Sequence, residues 1–232
     1  MSSELTTLGE QAYRTMRAMI MRGDLPAGHW LRKRVLASRL HMSATPIVEA
    51  LRKLEHEGLV QTEPQWGARV RTFTVREIEE LAGMRIALES FVARKAAERL
   101  CPEQIESLRE LAEKVDDIDR RQNAPSAIHS READREWYQL DHAFHLQLAL
   151  DAGLILVHRE IERLQVLKAT CRQFSAAAAD LGVTHVQVID AIASGDPDLA
   201  ERAMRVHIQG SVDGFLPILR KRFGDGPVTA KT

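Results

Sequence analysis

Cysteine is scarce in this chain of 232 residues, and Cys101 and Cys171 stand far apart with no C-x-x-C spacing. That points to two buried thiols more than to a disulfide or a cysteine metal site, because free cysteine behaves as a small hydrophobe. No uninterrupted apolar run approaches 18 residues, and no basic stretch leads into an apolar core near the start. The sequence is therefore expected to have neither a membrane span nor a signal peptide, and to work in the cytoplasm. After Thr74 there are few glycines and prolines, no strand candidate and no internal repeat.

What is present is ordinary globular composition, 44% hydrophobic and 28% charged, which argues against disorder over most of the length. The net charge of −1 conceals an asymmetry. Residues 1–73 hold 11 Lys and Arg against 7 Asp and Glu, or +4, while the remainder holds 21 against 26, or −5. A small basic module joined to a larger acidic one is what a nucleic-acid reader with a separate sensing domain would show.

Apolar residues at Leu8, Ala12, Met16, Met19 and Ile20 predict a first helix over about 5–22, which GDLPAGHWL ends. A short basic helix, RKRVLASRL, follows. The next begins in SATPIVEALRKLEHEGLV, where Ser43 or Thr45 can cap and Pro46 falls in the first turn. Leu59 to Gln61 and Ala68 to Thr72 read as two strands around EPQWG, with Gly67 permitting a tight turn. Three helices and a hairpin make a winged helix-turn-helix over 1–73.

From residue 74 the pattern becomes six long amphipathic helices, at about 75–100, 103–122, 130–150, 154–175, 178–194 and 198–222. The fold expected is mainly α: the winged module, an antiparallel helical bundle over 74–223 able to enclose a cavity, and a loose tail at 224–232.

In a helix-turn-helix the second helix of the pair enters the major groove and neighbouring cations hold phosphates. That places Ser43, Thr45 and Pro46 at the reading end. Arg32, Lys33, Arg34, Arg52, Lys53, Arg69 and Arg71 are the cations around it. Arg69 could reach phosphate or the minor groove. Each could equally be a solvated surface charge, and Trp66 could pack at the tip of the wing.

In the bundle, Asp141 and His145 stand at i and i+4 on one helix face, beside Phe144 and Leu148. His185 shares a face with Val188, Ile189 and Ile192, and His207 one with Ala200, Ala203, Met204 and Ser211. If these three helices adjoin, one carboxylate and three imidazoles converge, and a divalent cation satisfies them together. The other histidines read as hydrogen-bonded or surface residues. Zinc suits such a donor set best, with nickel, iron or manganese as alternatives.

These motifs carry a family resemblance. GDLPAGHWL, LASRLHMSATPIVEALRKLEHEGLV and GARV resemble the GntR family of bacterial transcription regulators. D-x-x-F-H followed by two spaced histidines resembles the metal-binding pattern of its FadR-type members with an FCD domain, at Asp141, His145, His185 and His207. The resemblance assigns Arg34 to DNA contact and, through Arg85 in MRIALES, a small carboxylate effector to the bundle. An ion pair between Arg85 and Glu89 at i+4 is the competing reading of that arginine. Where the family usually has two DNA-contacting arginines, this chain has Ala44 and Val48, and Gly153 replaces a usual asparagine.

The expected function is a ligand-responsive regulator, a repressor by preference, that binds palindromic operator DNA as a homodimer and is not an enzyme. Two rivals stand beside it. One is a metal-dependent hydrolase or oxygenase, since open metal positions activate water. The other is a sensor whose DNA reading has weakened and which acts through protein contacts.

Overall fold

A computed structural model describes residues 7–122, 131–164 and 182–229. Cys171, His129, the NAPSA turn, and the parts of the expected fourth and fifth bundle helices at 165–175 and 178–181 lie outside the described residues. The chain divides into two compact units. One runs to Thr74 and takes in the tail from Asp225; the other holds the helices between Val75 and Gly224.

In the first unit α1 (Leu8–Met21) opens on Thr7, whose hydroxyl accepts the Glu10 N–H at 3.2 Å. Its expected apolar positions Ala12, Met16, Met19 and Ile20 are all buried, whereas Leu8 is exposed. Strand β1 (Trp30–Leu31), α2 (Lys33–Leu40), α3 (Ala44–His56), β2 (Val60–Glu63) and β3 (Gly67–Val70) follow. The α2–α3 turn passes through His41, a non-glycine residue in the left-handed region at φ 54°. Ser43 occupies the position before α3, but its hydroxyl makes no capping bond.

The wing is a three-stranded antiparallel sheet in the order β1-β3-β2, with Trp30 and Gln61 flanking Arg69 from opposite sides. Sequence gives only two of these strands, because Trp30–Leu31 is too short to show alternation and sits in a glycine-proline turn. A second small sheet pairs β4 (Phe73–Thr74) with β5 (Pro227–Val228), Phe73 opposite Val228. Within the tail that the sequence leads one to expect loose, Pro227–Val228 is paired in this sheet and Val228 is fully buried.

The second unit has six helices among the described residues: α4 (Val75–Arg99), α5 (Pro102–Gln122), α6 (Arg131–Asp151), α7 (Ile155–Leu164), α8 (His185–Ala193) and α9 (Pro197–Phe223). α4 and α9 pack along each other in opposite directions. Arg220 near the end of α9 meets Glu79 near the start of α4 at 2.7 Å, and Arg94 late in α4 meets Asp198 and Glu201 early in α9. α5 packs on α6 and α8, and α8 on α9, so the three histidine-bearing helices share one interior.

Two expectations change here. Cys101 is exposed, because it falls in the turn before α5, where its N–H is accepted by the Gln104 side chain at 3.0 Å. His185 opens α8 instead of lying inside a longer helix: Gly182 is left-handed, and Thr184 and Gln187 form a reciprocal capping box at the helix start.

Candidate functional site

The bundle interior brings together the four residues that spacing singled out. Asp141 and His145 project from α6, His185 from the first turn of α8 and His207 from the middle of α9, all 3% exposed or less. The ring centroids of His185 and His207 are 4.3 Å apart, and His145 lies 5.7 Å and 5.6 Å from them. Each histidine can present a ring nitrogen within 4.8 Å of the other two. Asp141 Oδ1 lies 3.3 Å from His185 Nε2 and 3.6 Å from His145 Nε2. Phe144 presents ring edges to His145 and His185 from one side.

What lies behind each ring decides which nitrogen faces inward. His207 Nδ1 is 2.8 Å from the Val183 carbonyl, to which only a protonated nitrogen can donate, leaving the Nε2 lone pair bare. His185 Nδ1 donates to Asp116 Oδ1 on α5 at 2.8 Å, and His145 Nδ1 meets Glu89 Oε2 on α4. His185 and His207 are thus held by a hydrogen-bond acceptor on the outer nitrogen, and Glu89 stands in ion-pair contact behind His145 without hydrogen-bond geometry, an arrangement that suits metal-ligating histidines. Asp116 also accepts the backbone N–H of His185 at 3.1 Å and of Val186 at 3.0 Å, so one carboxylate caps α8 and aims its first ring.

The electrostatics treat the His207 and His185 rings oppositely. Burial, then the neighbouring His185 and His145, hold the His207 imidazolium well below the usual histidine range. Burial also works against a charge on His185, but hydrogen bonds accepted by Asp116 and Asp141 outweigh it and raise its pKa. Burial pushes the nearby Asp119 carboxyl up to about 6.

Beside the histidines, Arg85 and Glu89 are buried and paired, Arg85 Nε donating to Glu89 Oε1 at 2.5 Å. Arg85 Nη2 reaches to 3.4 Å from His145 Nε2. The ion pair weighed from sequence is therefore present, and it stands at the edge of the histidine cluster. Three carboxylates, Asp141, Glu89 and Asp116, stand against one guanidinium, Arg85, around the imidazoles, which concentrates negative charge there. A divalent cation fits on both counts: it cancels that charge, and it takes the inward-facing nitrogens and the Asp141 oxygen as donors. Asp116 and Glu89, which support the rings, and Asp119 were not among the sequence-derived site residues. Their signal was a charged residue on an apolar helix stripe: Glu89 continues Ile78, Ala82 and Arg85 along α4, and Asp116 and Asp119 continue Leu108, Ala112 and Val115 along α5.

The winged unit places its residues differently. Arg32, Lys33 and Arg34 are exposed at the start of α2, and Ser43, Thr45 and Arg52 are exposed on α3, while Pro46 is buried beneath them. Ala44 is exposed in the first turn of α3. Lys53 is engaged by Glu10 at 2.7 Å. Arg69 is paired with Glu63 across the hairpin and lies 5.8 Å from the Trp30 ring, and Arg71 lies over Phe73. Gly67 has φ 99°, as a tight wing turn requires. Trp66 is 76% exposed at the tip, its ring 6.4 Å from that of Trp30.

Comparison with known proteins extends this picture. Residues 8–70 match the bacterial regulatory proteins of the gntR family, and residues 80–210 match the FCD domain, which binds metal in some of its members. The HTH-type transcriptional repressor RspR of Escherichia coli strain K12 is 28% identical over 206 residues, spanning 87% of this chain and 86% of that protein. The HTH-type transcriptional regulator BphR of Paraburkholderia xenovorans strain LB400 is 25% identical over 214 residues, spanning 90% and 86%. Among solved structures, E. coli McbR/YncC superposes with a TM-score of 0.71 at 20% identity over 94% of this chain and 99% of that one. A GntR transcriptional regulator from Rhodococcus sp. RHA1 gives 0.66 at 18% over 93% and 98%, a likeness of fold alone. With a winged module at one end and more than half its length matched by the FCD domain, the chain belongs to the GntR family of bacterial transcription regulators, in its FCD-containing branch.

Proposed function

We propose that this regulator is a repressor that binds a palindromic operator as a homodimer, and that a metal ion in its FCD domain forms the floor of a pocket for a small carboxylate effector. The observation that carries this reading is the convergence of Asp141, His145, His185 and His207, each histidine backed on its outer nitrogen by a carboxylate or carbonyl oxygen. Bound there, a divalent cation supplies a fixed positive charge that an anionic ligand can approach. Zinc suits three imidazoles and a carboxylate, and nickel, manganese and iron accept the same donors.

Arg85 is the cation of this chain best placed to share the effector's carboxylate. Its Nη edge faces the histidines while Glu89 holds its Nε edge. On the DNA side, Arg32, Lys33, Arg34 and Arg52 supply phosphate contacts, and Ser43 and Thr45 read base edges from the start of α3, with Ala44 suited to a thymine methyl group. Arg69 serves the wing from its pair with Glu63, and Gly67 shapes the turn that carries it. No helix among the described residues is long and apolar enough to cross a membrane.

The test is a gel shift on DNA from upstream of its own gene, at fixed salt because phosphate contacts make affinity steeply ionic-strength dependent. Specific retardation that Arg34→Ala weakens supports the reading. Loss of retardation by the wild-type protein at every salt concentration, with and without zinc, would overturn operator binding and favour a sensor that acts through protein contacts.

A further inference from the structure

The carboxylate of Glu89 touches two groups with different tasks. One oxygen accepts from Arg85 Nε at 2.5 Å, and the other meets His145 Nδ1, with all three side chains 4% exposed or less. Burying a glutamate this deeply is costly unless it is paired, and Arg85 supplies the hydrogen-bonded charge while His145 Nδ1 stands against the second oxygen in ion-pair contact without hydrogen-bond geometry. Among the described residues, the other carboxylates of the cluster have different partners. Asp116 serves His185 and the α8 backbone, and Asp141 faces the ring nitrogens.

We infer that Glu89 is a positioning residue that couples metal binding to anion binding in the FCD domain. The inference rests on the metal reading given above. Its steps follow from the geometry. To ligate through Nε2, His145 must carry its proton on Nδ1, and the Glu89 oxygen facing that nitrogen selects this tautomer. Arg85 Nη2 lies 3.4 Å from the same Nε2, so a cation bound there repels the guanidinium and turns its Nη edge away. Glu89 retains the Nε edge, which limits the movement to a pivot and keeps the guanidinium at the margin of the cluster with its Nη groups free to donate to an anion. An anion entering between them is attracted by both positive charges. Metal therefore raises anion affinity, and by reciprocity the anion raises metal affinity by the same factor.

This makes a specific claim about one substitution. Glu89→Gln keeps the size but removes the charge that holds Arg85 and selects the His145 tautomer. Zinc affinity, read by competition with a chromogenic chelator, is expected to fall about 10–100-fold, the usual consequence of losing a partner behind a ligating histidine. Acetate serves as the probe anion. In the wild-type protein acetate tightens zinc binding, in Glu89→Gln it does not, and in Glu89→Asp part of the response returns. Arg85→Lys separates the two tasks: it loses the acetate response while keeping zinc affinity within a few-fold of wild type. Cobalt substitution adds a spectroscopic reading, since the ligand-field bands shift with acetate only where Glu89 is intact.

Zinc affinity and acetate response in Glu89→Gln equal to those of wild type would overturn the coupling role. So would a fall in zinc affinity with the acetate response preserved, because Glu89 would then support His145 alone. Should Glu89→Gln fail to fold by circular dichroism, the Glu89→Asp and Arg85→Lys pair carries the test through the acetate response. Wild-type protein that binds neither zinc nor cobalt would instead overturn the metal reading itself, a result distinct from any of these.

Discussion

At the scale of single residues, the site is a set of buried polar groups made tolerable by one another. Asp116 shows this most directly, since its two oxygens accept one imidazole and two backbone N–H groups where α5 meets α8. Asp116→Asn replaces a charged acceptor by an amide that can satisfy only part of this set. It is expected to lower the stability of metal-free protein by roughly 1–3 kcal/mol in denaturant titration and to weaken zinc binding roughly 10–100-fold. A variant with unaltered zinc affinity would show that His185 is aimed by the helix start alone. Asp141, His145, His185 and His207 were legible in the sequence because an ionisable group on an apolar helical stripe has no inexpensive bland explanation. Glu89 and Asp116 carry the same mark on α4 and α5, but those helices are so rich in charge that one carboxylate on the inner stripe does not stand out.

At the scale of elements, periodicity found every described helix of both units, because each must bury one face. What it missed were features fixed by two or three residues. Strand β1 is a two-residue pairing of Trp30 and Leu31 with Arg69 and Ala68, invisible to any alternation rule. The start of α8 at His185 is decided by Thr184, Gln187 and a carboxylate from another helix, so tertiary capping overrode the helical spacing that ran on before it. The β2–β3 turn offers a test at this scale. Gly67 has φ 99° with no heavy atom placed to meet an added Cβ, so Gly67→Ala introduces conformational strain without a clash. Thermal melting should show a loss of about 1 kcal/mol confined to the first unit. An unchanged melting curve would mean that the turn relaxes out of the left-handed region.

At the scale of the whole molecule, ligand binding to the native state is worth RT ln(1 + [L]/Kd), so a bound metal should appear as heat resistance. Chelation is expected to lower Tm by roughly 2–4 °C for each kcal/mol of binding energy removed in a chain of this length. In His207→Ala the chelator should produce almost no shift, and an undiminished shift there would place the metal elsewhere. A second whole-chain prediction concerns the tail. Removing residues after Gly224 deletes β5 and uncovers Phe73, which is expected to cost the first unit about 2 kcal/mol by the apolar area exposed. A truncated protein that melts like the full chain would show that this pairing adds nothing. The tail matters for another reason as well: the chain leaves the reading unit through β4 and re-enters it through β5, and those two strands are hydrogen-bonded to each other. The FCD bundle is thereby spliced in with both of its loose ends tied, at the head of α4 and the foot of α9. One short strand pair thus clasps the two ends of the helical unit beside each other, so the spacing between the head of α4 and the foot of α9 is set by backbone hydrogen bonds as well as by side-chain packing.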